Sequence, residues 1–424
     1  MTEGHLISGA STQSRGRRPG KPVTLSRCSG AYEYSSDGRK ILSWPMGNYG
    51  PLLGYPSEDN ELTDEWSSHF SDYMYEGHLS LGSYAPLAEQ RLANKLASIY
   101  APYLRHKDIG IRFFQNGTDS CQAAVALCRY ATHRDMFTSI GYHGGSSPVF
   151  AFEPQNMGVL HENSHVRFDV SFDHIDDEDF ECDACVIVEV PSVEDELQAA
   201  NTLKHIESMC IADDIPLIMD EIVTGFRFSP AGALQYYSKL LNPTIDYVEG
   251  EMPEISSWKP SQNIKADFIC LGKAMSTYGK VSALLGPLDA MEALIQYVFA
   301  SYTYNDHPLG FYDALWTLEQ YEKYDEELYH FALVGSVGDI GLALKDGLNK
   351  LFAQYNFPAK CIGHPSRSAI VPTDDSGMLD TLLARVVDEH NVLLHRPQFV
   401  TLAHTLDDVT KTLMAVEAVL KSWK

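Results

Sequence analysis

Long apolar runs are missing from this chain of 424 residues. No stretch reaches the roughly 18 residues that a membrane-spanning helix needs. The opening Met1-Thr2-Glu3-Gly4-His5 has no secretory apolar core, so the expectation is a cytoplasmic protein with no membrane partner. Basic residues are also scarce. Against 57 Asp and Glu stand 32 Lys and Arg, a formal net charge of −25, and such a field argues against nucleic acid as a partner. Cysteines are scattered, and only Cys182-Asp183-Ala184-Cys185 is closely spaced. One such pair without a second reads better as ordinary core thiols than as a metal site, so no metal is expected. Internal repeats and low-complexity tracts are absent as well. The chain is 44% hydrophobic, enough to bury a large core and long enough for one major and one minor domain.

Short apolar runs punctuate the middle of the sequence. Val186-Ile187-Val188 before Glu189, Pro216-Leu217-Ile218-Met219-Asp220 and Ala266-Asp267-Phe268-Ile269-Cys270-Leu271 read as strands separated by helical stretches. That alternation predicts an α/β fold with a mostly parallel sheet covered on both faces. Ligands bind beyond the carboxyl ends of the strands in such sheets, and Asp220 and Lys273 both fall there. Alone, an Asp closing a strand is a helix cap and a Lys after Gly is a solvated charge. Together they meet the two needs of pyridoxal phosphate: a carboxylate to keep the pyridine nitrogen protonated and an amine to form a Schiff base with the aldehyde.

Two further segments suit a phosphorylated aromatic cofactor. Ile111-Arg112-Phe113-Phe114 reads as a strand, and Gln115-Asn116-Gly117-Thr118-Asp119-Ser120 leads from it into a helix. Helix starts offer backbone N–H groups and a positive dipole end, Gly117 admits a phosphate close to the backbone, and Thr118 adds a hydroxyl. The same letters also make an ordinary capped helix start. Gly141-Tyr142-His143-Gly144-Gly145 places an aromatic residue among glycines, either to lie on the pyridine ring or to fill a turn.

The order of these motifs resembles the class III aminotransferases of the fold type I pyridoxal phosphate enzymes, and within them glutamate-1-semialdehyde aminomutase and its relatives. Asn116-Gly117-Thr118-Asp119 is similar to that family's Ser-Gly-Thr-Glu, Tyr142-His143-Gly144 to its Tyr-His-Gly, and Asp220-Glu221-Ile222-Val223-Thr224-Gly225-Phe226-Arg227 to its Asp-Glu-Val-x-Thr-Gly-Phe-Arg. Gly272-Lys273-Ala274-Met275 carries the lysine, and Thr303-Tyr304-Asn305-Asp306-His307-Pro308 resembles the segment whose Thr reaches the phosphate in the neighbouring subunit. The resemblance implies Lys273 and Asp220 as catalytic residues. It implies cofactor binding by Asn116, Gly117, Thr118, Tyr142, His143, Glu189, Asp220, Val223, Lys273 and Thr303, and a homodimer with shared active sites. Arg15, in Gly9-Ala10-Ser11-Thr12-Gln13-Ser14-Arg15-Gly16, aligns with the residue that holds a substrate carboxylate, although it also reads as part of a basic N-terminal arm with Arg17, Arg18 and Lys21.

The implied architecture is a large cofactor-binding domain over residues 61–320, with a seven-stranded type of sheet. A small α+β domain is built from an N-terminal arm (1–60) and a C-terminal part (321–424). The implied activity moves an amino group from a small-molecule donor to a carbonyl acceptor, by transfer or within one molecule. The alternative is decarboxylation of an amino acid or an amino-acid-modified metabolite or nucleotide, which keeps the cofactor and breaks a different bond. Departures from the family pattern leave that choice open. Ser276-Thr277-Tyr278-Gly279-Lys280 replaces a glycine-rich turn with a Pro, Val190–Asp195 is a short connection, and residues 241–265 resemble a mobile inserted surface segment.

Overall fold

The computed structural model describes residues 18–58, 61–79, 82–144, 180–241, 263–278, 280–329 and 337–423, with 166, 167, 172 and 175. Arg15 and nearly all of the 241–265 segment lie outside the described residues. Two compact units emerge. One comprises Met1–Asp72, Ser192–Glu194 and Gln320–Lys424; the other comprises Tyr73–Pro191 and Asp195–Glu319.

The first unit begins with a meander of β1 (Leu25–Ser29), β2 (Tyr32–Ser35) and β3 (Lys40–Ser43), extended by a parallel strand from the far end of the chain, Val392–Leu393. Its buried centre includes an aromatic stack. His404 lies on Trp44 with ring centroids 4.2 Å apart and planes 10° apart. Burial pushes the His404 imidazole down to about 4. A neutral ring suits its partners: Thr401 N–H donates to Nδ1 at 3.1 Å, which leaves Nε2–H to donate to the Ser43 carbonyl at 3.2 Å. The C-terminal helix Leu406–Lys421 opens with a capping box between Thr405 and Asp408.

The second unit holds the predicted sheet. Its strands are β4 (Ile109–Phe114), β5 (Phe137–Ile140), β6 (Val166–Arg167), β7 (Val186–Val188), β8 (Leu217–Glu221), β9 (Phe268–Leu271) and β10 (Ser282–Pro287), in the order β4-β10-β9-β8-β7-β5-β6. All pairings are parallel except those of β10, which runs against both β4 and β9. The carboxyl ends of the parallel strands, and the start of β10, therefore share one edge. β7, β8 and β9 are buried throughout, as strands covered on both faces must be. The helix Gly117–Thr132 turns Cys121, Ala124, Val125 and Cys128 into a core with Phe137, Ile187, Ile218 and Cys270. Of the CxxC pair, Cys182 is exposed and Cys185 joins that core, and all eight cysteines are free thiols.

Candidate active site

Asp220 is the penultimate residue of β8, and its side chain is buried with 2% exposure. Three donors fix it. His143 Nδ1 lies 2.7 Å from Oδ2, the Cys121 thiol donates to the same oxygen at 3.5 Å, and Ile222 N–H donates to Oδ1 at 3.0 Å. A carboxylate held this way keeps one orientation in a medium of low dielectric. The Cys121 thiol in turn is pushed well up, first by its hydrogen bond with Cys270, then by burial and by the charge of Asp220. It remains a protonated donor.

Ile222 ties this carboxylate to the two other predicted elements. A Cβ on Gly117 would lie 2.7 Å from Ile222 Cδ1, and one on Gly272 would lie 3.1 Å from the same atom. The start of the Gly117–Thr132 helix and the residue preceding Lys273 thus both rest on one side chain, two residues after Asp220. Ser282, first in β10, donates from Oγ to the Asn116 carbonyl at 2.7 Å and closes the group from the other side. The helix is capped by Asn116, whose Oδ1 accepts from Asp119 N–H at 3.0 Å. Gly144 must lack a side chain, because its φ is +103° and a Cβ would overlap the Thr118 hydroxyl.

Lys273 opens a single 3-10 turn, Lys273–Met275, with φ of +43°. Left-handed backbone at a side chain of this kind is strained by about 1–2 kcal/mol, and such strain persists where the surroundings over-determine it. Tyr142, half-exposed, follows Gly141, whose φ of +97° presses it against the backbone of Glu189. Glu189 is buried and accepts Tyr142 N–H on Oε2 at 3.0 Å. Burial raises the Tyr142 phenol, with the Glu189 and Asp220 charges adding to the effect. Val223 is buried just beyond Asp220, at 8% exposure. Thr303 is exposed, in a turn whose Tyr304 carbonyl accepts the Gln115 side chain, and burial raises the neighbouring Tyr302 phenol, with the Asp119 charge adding to the effect.

Next to Asp220, Glu221 points the other way. It is fully buried and its oxygens accept Ala233 N–H at 3.0 Å, Leu234 N–H at 2.8 Å and the Thr224 hydroxyl. It anchors the start of the helix Gly232–Leu240, and burial pushes its carboxyl up to about 7 against those hydrogen bonds.

Of the residues expected from the sequence, His143 bonds Asp220 and Tyr142 bonds Glu189, while Gly117 and Gly272, the residue before Lys273, both pack on Ile222, and Thr118 lies against Gly144. Ile222, Ser282, Cys121 and Gly144 were not singled out. Ile222 and Gly144 lie within motifs that the sequence already marks, but only the fold shows what they touch.

No family model matches the chain. It is similar to curated relatives along nearly its full length. The glutamate-1-semialdehyde 2,1-aminomutase 2 of Lachnoclostridium phytofermentans is 25% identical, with 95% of this chain and 92% of that protein covered. The glutamate-1-semialdehyde 2,1-aminomutase of Thermus thermophilus is 26% identical over 97% and 95%. Among solved structures, the FumI protein of Sphingopyxis sp. MTA144 superposes with a TM-score of 0.73 at 21% identity, covering 96% of this chain and 91% of that one. An amine transaminase from an uncultivated Pseudomonas species gives 0.71 at 18% identity over 100% and 99%. The chain therefore has the fold of the fold type I pyridoxal phosphate transferases, and the resemblance to class III aminotransferases and aminomutases extends through its length.

Proposed function

We propose that this protein is a pyridoxal phosphate-dependent aminotransferase or aminomutase of the glutamate-1-semialdehyde aminomutase kind. The observation that carries the proposal is the convergence on Ile222, where a buried strand-end carboxylate, a helix start and the residue before a strained lysine meet. The residues fit the cofactor. A helix N-terminus bearing Gly117 and Thr118 suits its phosphate, the half-exposed Tyr142 and the buried Val223 suit its two ring faces, and Asp220 suits its ring nitrogen.

When bound, pyridoxal phosphate supplies an electron-withdrawing ring that stabilises negative charge on a substrate carbon. The protein's part is to hold, orient and move protons. Asp220 would keep the ring nitrogen protonated, and His143 and Cys121 keep Asp220 in place. Lys273 would hold the cofactor through its Nζ, and the same amine is the group that would move a proton at the substrate carbon. Glu189 fixes the Tyr142 backbone and so the ring that would stack on the cofactor.

The same reading makes the protein a homodimer, with Thr303 serving the neighbouring subunit's phosphate. Phe299, Tyr302 and Tyr304 stand 89%, 49% and 60% exposed around Thr303, and an apolar patch of this kind suits a covered surface. Residues 61–320 form the cofactor-binding domain in this reading, and 1–60 with 321–424 the smaller one. Arg15 serves the substrate carboxylate. Among the described residues no helix is long and apolar enough to cross a membrane, in keeping with a cytoplasmic enzyme.

The test is an absorption spectrum of the purified protein titrated with candidate amines, followed by mass analysis of products. Amino transfer converts the bound cofactor to its aminated form and yields a carbonyl product. Release of carbon dioxide instead would replace this proposal with decarboxylation, and a Lys273→Ala protein that keeps the cofactor's visible band and turns over would refute it.

A further inference from the structure

The loop that departs most from the family pattern, directly after Lys273, is held by one buried acid. Asp313, in the helix Pro308–Lys323, is 1% exposed. Its Oδ2 accepts the Ser276 hydroxyl at 2.7 Å and the Tyr278 N–H at 2.9 Å. One helical turn on, Thr317 Oγ1 accepts Thr277 N–H at 3.0 Å and donates to Thr277 Oγ1 at 3.0 Å. Trp316 stacks on Tyr278 with centroids 6.2 Å apart. One face of one helix therefore fixes three successive residues. A buried carboxylate costs free energy unless donors are aimed at it, and this loop supplies two donors to one of its oxygens.

The clamp reaches the lysine through the backbone. Ser276 N–H donates to the Lys273 carbonyl at 3.1 Å, and Met275 N–H to the Gly272 carbonyl at 3.0 Å. These bonds close the turn in which Lys273 takes its left-handed φ of +43°. Released from Ser276, the turn could relax to ordinary backbone and re-aim the side chain. We infer that Asp313 is a positioning residue, which through Ser276 holds the strained turn that presents the Lys273 amine. The inference rests on the cofactor reading above.

The experiment compares Asp313→Ala, Asp313→Asn and wild type, each as the full chain. Both loop bonds go to a single oxygen, so Asn can accept both and Ala neither. With loss of a buried hydrogen bond changing an equilibrium by about tenfold, Asp313→Ala should release cofactor about tenfold faster and shift the pH at which the bound cofactor's visible band titrates. Asp313→Asn should restore both to near wild type. Hydrogen exchange on the cofactor-free proteins should show faster exchange over 273–278 in the Ala variant alone. Should Asp313→Ala fail to fold, Thr317→Val, which removes the acceptor for Thr277 N–H, is expected to speed the same exchange and cofactor release. Faster exchange with unchanged cofactor release and band titration would overturn the positioning role, as would unchanged exchange. A wild-type protein that takes up no cofactor would instead bring down the functional reading on which this rests.

Discussion

Glu221 offers a direct measurement of what burial does to a carboxylate beside the proposed ring-binding acid. Burial raises it from an ordinary 4.5 to about 7, although two helix amides and the Thr224 hydroxyl favour its charged form. At about 1.4 kcal/mol for each tenfold change in proton affinity, that interval corresponds to about 3 kcal/mol. The sign follows from proton counting. Between pH 4.5 and about 7 the native state holds a proton that the unfolded chain has lost, so stability falls as pH rises through this window and levels off above it. Glu221→Gln removes the titration. It keeps one acceptor and turns an amide toward another donor, which adds a pH-independent loss of about 1–3 kcal/mol for an unsatisfied buried group. Urea unfolding of wild type and variant at a series of pH values gives the difference directly. The expected result is a variant that is weaker at pH 5 and matches or exceeds wild type by pH 8. Parallel curves would show that the native carboxyl titrates at its ordinary value, and that the helix-start hydrogen bonds, not burial, set its ionisation.

His404 acts in the opposite sense over nearly the same window. Its ordinary value of 6.5 falls to about 4, so its contribution is present above 6.5 and is lost as pH falls toward 4, again by about 3 kcal/mol. His404→Phe keeps a ring on Trp44 and should flatten the acid limb of the urea midpoints relative to wild type, after a uniform loss from Ser43 and Thr401; an unchanged acid limb would contradict this. Gly232→Ala should destabilise by about 2 kcal/mol or more, because its φ is +66° and a Cβ would overlap Glu221 Oε2. A thermal midpoint within a degree of wild type would count against that packing. Thr303→Ala should leave a dimer, measured by sedimentation, with weaker cofactor retention on dilution. Equal retention would remove Thr303 from the phosphate site.

The sheet was legible because its strands are covered on both faces and so read as unbroken apolar runs: Val186–Val188 and Phe268–Leu271 sit where the runs stood. The places of Asp220 at the end of β8 and of Lys273 just beyond β9 were legible for the same reason, since each closes an apolar run. The reversed direction of β10 was not, because a six-residue buried strand has the same composition whichever way it runs. That reversal matters locally: it brings Ser282 back to the edge where Asn116 begins its helix.

What composition hides most completely is a residue whose meaning depends on a distant one. Ile222 carries no chemistry of its own, and Asp313 in a helix reads as surface charge, since a lone acid is rarely buried. Only when the helix Pro308–Lys323 lies against Ser276–Tyr278 does that acid meet the Ser276 hydroxyl and the Tyr278 N–H. The left-handed residue is Lys273 itself, while Ser276 is extended at φ −140°, so the strain is held from outside the turn by the bonds that fix Ser276. Ser276 and Asp313 are therefore one feature, and the effects of Ser276→Ala and Asp313→Ala on exchange over 273–278 should be less than additive in the double variant.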